Sequence, residues 1–214
     1  MRNLLTCLAI CLAFTISAQR TPQQLGMMPT DLPAGLEVGA MAPAFEGVTD
    51  DGETVSLSAM LENGAVALIF YRGFWCGKCS RYLSVYQDSL QYLKDMGFQL
   101  VAVTPENTDG VIKTRDKNNL NFTILSDKGG EIMRAYDVDF KVTDDYVKKI
   151  HGYYQVDIAD NNDADVAELP VPATYLIVPD GNDGGGKIIW RHFDLDYGKR
   201  ASVKAMVDAV KSFQ

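Results

Sequence analysis

Apolar and polar positions along this chain fall into blocks with distinct periods. Phe45-Glu46-Gly47-Val48 and Thr54-Val55-Ser56-Leu57 flank Asp50-Asp51-Gly52, turn chemistry that predicts a β-hairpin over Phe45 to Leu57. Ala65 to Tyr71 is an unbroken apolar run, the pattern of a strand covered on both faces. Beyond Cys79, the residues Tyr82, Leu83, Tyr86, Leu90 and Leu93 recur at helical spacing up to Gly97, which predicts one amphipathic helix starting around the cysteine. Phe98 to Thr104 predicts a second buried strand, Thr108 to Asn119 a polar helix, Phe122 to Leu125 a short strand and Gly130 to Tyr136 a short helix. Ala173 to Val178 and Lys187 to Phe193 predict strands joined by a Gly/Asp-rich turn, and Arg200 to Phe213 a closing helix. Strands alternating with helices predict an α/β fold, and the hairpin-joined last strands make its central sheet mixed.

The ends of this pattern are punctuated differently. Met1-Arg2-Asn3, the apolar stretch Leu4 to Ile16 and the small residues Ser17-Ala18 predict a secretory signal peptide over 1–18. Such a stretch falls short of the about 20 apolar residues of a membrane span, which favours cleavage after Ala18 over retention as an anchor. The expected location is therefore across the cytoplasmic membrane, in the periplasm, with no stable membrane insertion after cleavage. Residues 19–35, rich in Pro, Gln, Gly and Met without periodicity, predict a flexible N-terminal arm. Residues 36–214 are long enough for one domain with its own core.

Charge narrows the partners. With 28 acidic against 20 basic residues the chain carries −8, which argues against nucleic acid or an anionic membrane as a partner.

The candidate chemistry lies between the first buried strand and the first long helix, in Trp75-Cys76-Gly77-Lys78-Cys79. Of four cysteines, Cys7 and Cys11 lie in the expected signal peptide, leaving Cys76 and Cys79. A disulfide between them closes almost no loop and so contributes little stability; redox exchange is the better reason for the pair. At a helix N-terminus, unpaired N–H groups and the dipole favour a thiolate, lowering a cysteine pKa from about 8.5 to about 3.5–7.5. Lys78 adds a cation between the sulfurs, Gly77 gives backbone freedom and Trp75 is placed to shield one side. A structural zinc site is disfavoured, since only His151 and His192 accompany the pair and neither has ligand spacing. No cofactor and no metal are expected. Asp157 to Glu168 lacks the glycine and spacing of a calcium loop and predicts a flexible acidic insertion. Gly181 to Gly186 predicts a plain turn.

Phe70 to Cys79, Leu125-Ser126-Asp127, Leu169-Pro170-Val171-Pro172-Ala173-Thr174 and Phe193-Asp194-Leu195-Asp196-Tyr197, together with the opening segment Val38 to Phe45, resemble the peroxiredoxin-like branch of the alkyl hydroperoxide reductase/thiol-specific antioxidant (AhpC/TSA) family. The resemblance covers roughly residues 36–212 and implies a thioredoxin-like fold, a central mixed sheet flanked by helices, here with an N-terminal hairpin extension. Pro172 matches that family's cis-proline position, whose loop packs beside the dithiol. Asp194 to Tyr197 carries no chemistry derivable from its residues.

The departures from the family pattern matter as much. Typical peroxiredoxins resemble Pro-x-x-x-Thr-x-x-Cys; here Arg72 stands at the proline, Cys76 at the threonine and Cys79 at the attacking cysteine. A thioredoxin-type reading makes Cys76 the attacker and Cys79 the resolving thiol, so the two analogies assign opposite roles. The helix tip favours Cys76 as the solvent-exposed nucleophile. A peroxidase also needs a cation for the charge that develops on oxygen, and Arg72 and Arg191 are the candidates. The expected activity is reduction of hydroperoxides through a Cys76–Cys79 redox disulfide, recharged by a thiol electron donor. The alternative is thiol-disulfide exchange on protein disulfides, which export favours.

Overall fold

The computed structural model describes residues 19–181 and 185–213. The expected signal peptide and the centre of the Gly181 to Gly186 turn lie outside the described residues. The elements run β1 (Met41–Ala42), β2 (Glu46–Thr49), β3 (Thr54–Ser56), α1 (Leu57–Glu62), β4 (Ala65–Phe70), α2 (Gly77–Asp88), α3 (Leu90–Asp95) and β5 (Phe98–Thr104). There follow α4 (Thr108–Asn118), β6 (Thr123–Ser126), α5 (Glu131–Ala135), β7 (Asp139–Lys141), α6 (Asp144–Tyr154), α7 (Ile158–Asn161), β8 (Glu168–Pro170), β9 (Thr174–Pro179), β10 (Gly186–His192) and α8 (Val203–Phe213).

Eight strands form one mixed sheet in the order β1-β10-β9-β4-β5-β6-β2-β3. β4, β5 and β6 run parallel at its centre, β9 joins β4 antiparallel, and the β2–β3 hairpin extends the sheet through β2 on β6. Pleating divides the apolar run of β4 between two cores. Ala65, Ala67 and Ile69 face one core with Leu83, Leu93 and Met206, whereas Val66, Leu68 and Phe70 face the other with Leu57, Met60 and Met133. A strand buried at every position needs helices on both sides, which is why the sequence shows a run rather than alternation there. Consequently the carboxyl ends of β4 and β5 open onto one rim, where α2 begins.

Several expectations are corrected. The single helix expected after Cys79 is broken at Ser89, whose φ −103° and ψ 3° separate α2 from α3. Leu83, Tyr86, Leu90 and Leu93 stay buried across the break, so the apolar spacing carries no sign of it. Within residues 19–35, a 3₁₀ turn at Gln23–Leu25 lays Leu25 and Met27, each 1% exposed, into the core containing α2, while Met28 to Leu32 stay exposed. Burial of each such side chain offsets the ordering cost by about 1.5–3 kcal/mol.

The acidic stretch from Asp157 is likewise ordered. Asp157 caps α7 by accepting from the N–H groups of Ala159 and Asp160, and Glu168 lies in β8, paired with β7. Finally, the described residues contain no cis peptide bond, so the Val171–Pro172 bond is trans. Ala173 N–H donates to the Val171 carbonyl at 2.7 Å, closing a three-residue turn centred on Pro172; the ring-fixed φ of a trans proline suits such a turn.

Candidate active site

Cys76 is the N-cap of α2. Its extended backbone (φ −79°, ψ 92°) leaves Sγ to accept the Cys79 N–H at 3.2 Å, and its carbonyl accepts the Ser80 N–H at 3.0 Å. The two cysteines form a disulfide with Cα atoms 5.2 Å apart. The sequence reading expected Cys76 to meet solvent, yet it is 2% exposed and Cys79 is 0% exposed. Helix α6, absent from the periodicity reading, supplies the cover: Tyr154 packs on Trp75 with ring centroids 6.1 Å apart. A pocket of about 270 Å³ lies there, lined by Arg72, Trp75, Cys76, Lys78, Tyr146, Lys149, Tyr153, Tyr154 and Tyr197 among others. Cys79 is not among its lining residues.

A buried guanidinium lies against each sulfur. Arg72, on the loop leaving β4, donates from Nη2 to Cys76 Sγ at 3.2 Å and from Nη1 to the Tyr146 hydroxyl at 2.7 Å. Its Cζ sits 3.6 Å from the Tyr197 ring centroid and 5.1 Å from that of Trp75. Arg200, just before α8, donates from Nη2 to Cys79 Sγ at 3.0 Å and from Nε to the Tyr197 carbonyl at 3.3 Å. Burial, then the charge of Arg72, lowers Arg200 to about 10, so it stays protonated at neutral pH. Tyr197 therefore gives the Asp194 to Tyr197 segment its role in the site: its ring stacks on Arg72 and its carbonyl holds Arg200. Burial opposes ionisation of Tyr197, but the Tyr146 hydroxyl and the cations Arg72 and Arg20 together hold its phenol below the usual range.

Behind the dithiol loop, Glu106 follows β5. Its Oε1 accepts the Phe74 N–H at 2.7 Å and Asn161 Nδ2 at 3.1 Å, while Oε2 meets the hydroxyls of Thr114 and Thr104. Burial pushes this carboxyl up to about 7, against the hydrogen bonds that favour its charge. The close fit dictates Gly73: at φ +148° a Cβ there would meet Glu106 Oε1 at 2.5 Å and Trp75 Nε1 at 2.6 Å.

Of the residues singled out in the sequence, the fold gathers Arg72, Trp75, Cys76, Lys78 and Cys79. Lys78 is exposed on the first turn of α2, and among the described residues it donates no hydrogen bond to either sulfur. Arg191 is elsewhere: on β10 it donates to the carbonyls of Ala34, Gly35 and Leu36 and pairs with Glu37 at 2.8 Å. Pro172 is buried in the turn before β9. The residues missed are Arg200, Tyr146 and Glu106. Arg200 lies 121 positions from its sulfur with no local motif. Glu106, by contrast, follows a buried parallel strand, and the carboxyl ends of such strands are where sites gather.

Comparison with known proteins bears on the family and the fold. The chain is 31% identical over 104 residues to the thiol-disulfide oxidoreductase ResA of Bacillus thuringiensis subsp. konkukian, covering 48% of this chain and 59% of that protein. It is 28% identical over 117 residues to peroxiredoxin Bcp of Bacillus subtilis, covering 55% and 73% respectively. The crystal structure of peroxidoxin BcpB from Mycobacterium tuberculosis superposes with a TM-score of 0.62 at 15% identity, covering 84% of this chain and 99% of that one, a likeness of fold. The match thus spans little more than half the length of the ResA relative. Residues 38–182, which hold the cysteine pair, Arg72 and Glu106, match the family model, and the chain belongs to the AhpC/TSA family.

Proposed function

We propose that this chain is a thiol peroxidase that reduces small hydroperoxides, with Cys76 as the attacking sulfur and Cys79 as the resolving one. The observation that carries the reading is the burial of Cys76 in an aromatic pocket of about 270 Å³ beside the Arg72 guanidinium and the Tyr146 hydroxyl. A small peroxide fits such a recess. Trp75 and Tyr154, packed together at the pocket, favour a small substrate over the backbone of a protein disulfide.

In the proposed cycle the Cys76 thiolate attacks one peroxide oxygen: an S–O bond forms, the O–O bond breaks and the alkoxide leaves with a proton as an alcohol. Arg72 supplies the cation and Tyr146 a donor for the charge developing on oxygen. Cys79 then attacks the sulfenic sulfur, hydroxide leaves as water with a proton, and the disulfide forms. Two thiol equivalents from a donor restore the dithiol.

Thiol-disulfide exchange is the second reading, favoured by the Cys-x-x-Cys spacing itself, with the first sulfur at the helix tip. Comparing hydrogen peroxide consumption with insulin disulfide reduction in wild type, Cys76→Ser and Cys79→Ser separates the two. The proposal expects peroxide turnover that Cys76→Ser abolishes. Peroxide turnover no faster than a free thiol's, beside brisk insulin reduction, would overturn it. Export is proposed from Leu4 to Ala18; N-terminal sequencing of the secreted chain is expected to start at Gln19.

A further inference from the structure

We infer that the reduced pair is a double thiolate in which Arg72 is the counter-ion of Cys76 and Arg200 the counter-ion of Cys79. The inference rests on the redox reading of the pair, but not on the choice between peroxide and disulfide as substrate.

The geometry is specific. Each sulfur receives its own guanidinium N–H, at 3.2 Å from Arg72 and 3.0 Å from Arg200. Both arginines are buried, at 4% and 8% exposure. Among the described residues neither forms an ion pair with a carboxylate. A buried cation without an anion is costly, and here two of them face a disulfide that carries no charge. Arg72 Nε and Arg200 Nη1 are also buried without a hydrogen-bond partner.

Among the described residues, no carboxylate among the groups packed around them pairs with either guanidinium. Tyr146, Lys149 and Tyr154 approach from α6, Tyr82 and Tyr86 from α2, Lys78 from its first turn and Tyr197 from the loop before α8. These are phenols or further cations. Of the nearby carboxyls, Glu106 directs its oxygens to Phe74 N–H, Asn161 and the threonines, and Asp196 pairs with Arg20 and accepts the Gly198 N–H. The anions that match two guanidiniums are the two sulfurs themselves.

The electron balance follows. Two electrons break the Cys76–Cys79 bond and leave two thiolates, with no proton taken up. A dithiol donor supplies those electrons, forms its own disulfide and releases its protons to solvent. For a two-electron couple each proton taken up makes a tenfold change in proton concentration worth about 30 mV. Two protonated thiols therefore give a slope of about 60 mV per pH unit, one thiol and one thiolate about 30 mV, and two thiolates none.

The test is to equilibrate the full chain with dithiothreitol redox buffers from pH 6.5 to 8 and read the disulfide fraction. The expected wild-type slope, after the donor's own pH dependence is subtracted, is nearer zero than 30 mV per pH unit. Arg200→Met is expected to restore a slope of about 30 mV and Arg200→Lys to keep the wild-type slope. Glu106→Gln is measured alongside to remove the titration of that carboxyl. Should Arg200→Met fail to fold, absorbance at 240 nm on wild type decides: reduction at pH 7 is expected to yield two thiolates per chain. A wild-type slope of about 30 mV or steeper, one thiolate per chain, or an Arg200→Met slope equal to wild type overturns the inference. A pair that never equilibrates with the buffer would instead overturn the redox reading on which it rests.

Discussion

Replacing Glu106 with Gln tests the electrostatics of the site through stability alone. Glu106 has its carboxyl raised from an ordinary 4.5 to about 7 by burial. In the unfolded chain it loses its proton near 4.5, whereas the folded chain holds that proton to about 7. The protonated form's contribution to stability is thus fully present below about 4.5 and lost as pH rises through about 7. At about 1.4 kcal/mol per pKa unit, the loss approaches about 3 kcal/mol by pH 8. Glutamine keeps an oxygen for Phe74 N–H and Asn161, turns an amide towards Thr104 and Thr114, and does not titrate. Urea unfolding of the oxidised chain at several pH values between 4 and 8 reads the difference. The two proteins are expected to diverge as pH rises, Glu106→Gln becoming the more stable by up to about 3 kcal/mol at pH 8. With a urea slope of about 2 kcal/mol per molar, that is a midpoint gap of about 1 to 2 M. Parallel pH profiles would refute the reasoning, because groups such as Asp127, pushed up to about 6 by burial, are common to both proteins and cancel.

Two further outcomes follow from the same structure. Leu25→Ala should cost about 2–5 kcal/mol in urea unfolding, since Leu25 is 1% exposed in the core; a change under about 0.5 kcal/mol, the size of an ordinary surface substitution, would mean that residues 19–35 lie outside the cooperative fold. Tyr146→Phe removes the hydroxyl that accepts from Arg72 Nη1 at 2.7 Å and should lower the peroxide rate of the dithiol by about 10-fold, about 1.4 kcal/mol, without moving the insulin rate; equal losses in both assays would refute a role in charge development on oxygen.

The sheet was legible where burial dictates composition. Ala65 to Phe70 and Phe98 to Thr104 read as strands because helices cover both faces, and the Asp-Gly turn marked the β2–β3 hairpin. What stayed hidden depends on contacts distant in sequence. Helix α6 carries Tyr146 and Ile150 inward and Tyr153 and Tyr154 towards the pocket, so its aromatic residues occur on both faces and blur the period. Residues 19–35 have no period because a single turn, rather than a helix or strand, delivers Leu25 and Met27 to the core. At the site, Cys76, Cys79 and Arg72 were legible because they share one loop and helix start. Arg191 lies away from the cysteine pair and Arg200 against Cys79 for a reason no local pattern records: β10 turns Arg191 towards Ala34 to Leu36, while the following loop brings Arg200 back across the first turns of α2.

The short strand β1 and the Arg191 clamp have a consequence for how copies of this protein meet. An open strand edge offers unpaired N–H and C=O groups to any passing chain, and long flat edges invite aggregation. Gly39 to Ala42 pair along Gly186 to Ile188, and a bulge between Ile188 and Trp190 twists the rest of β10 out of register. Where backbone pairing stops, the Arg191 side chain takes the carbonyls of Ala34 to Leu36. The segment leading into the domain thus works as a hem along one border of the eight-stranded sheet, leaving a neighbouring chain little of β10 to pair with there.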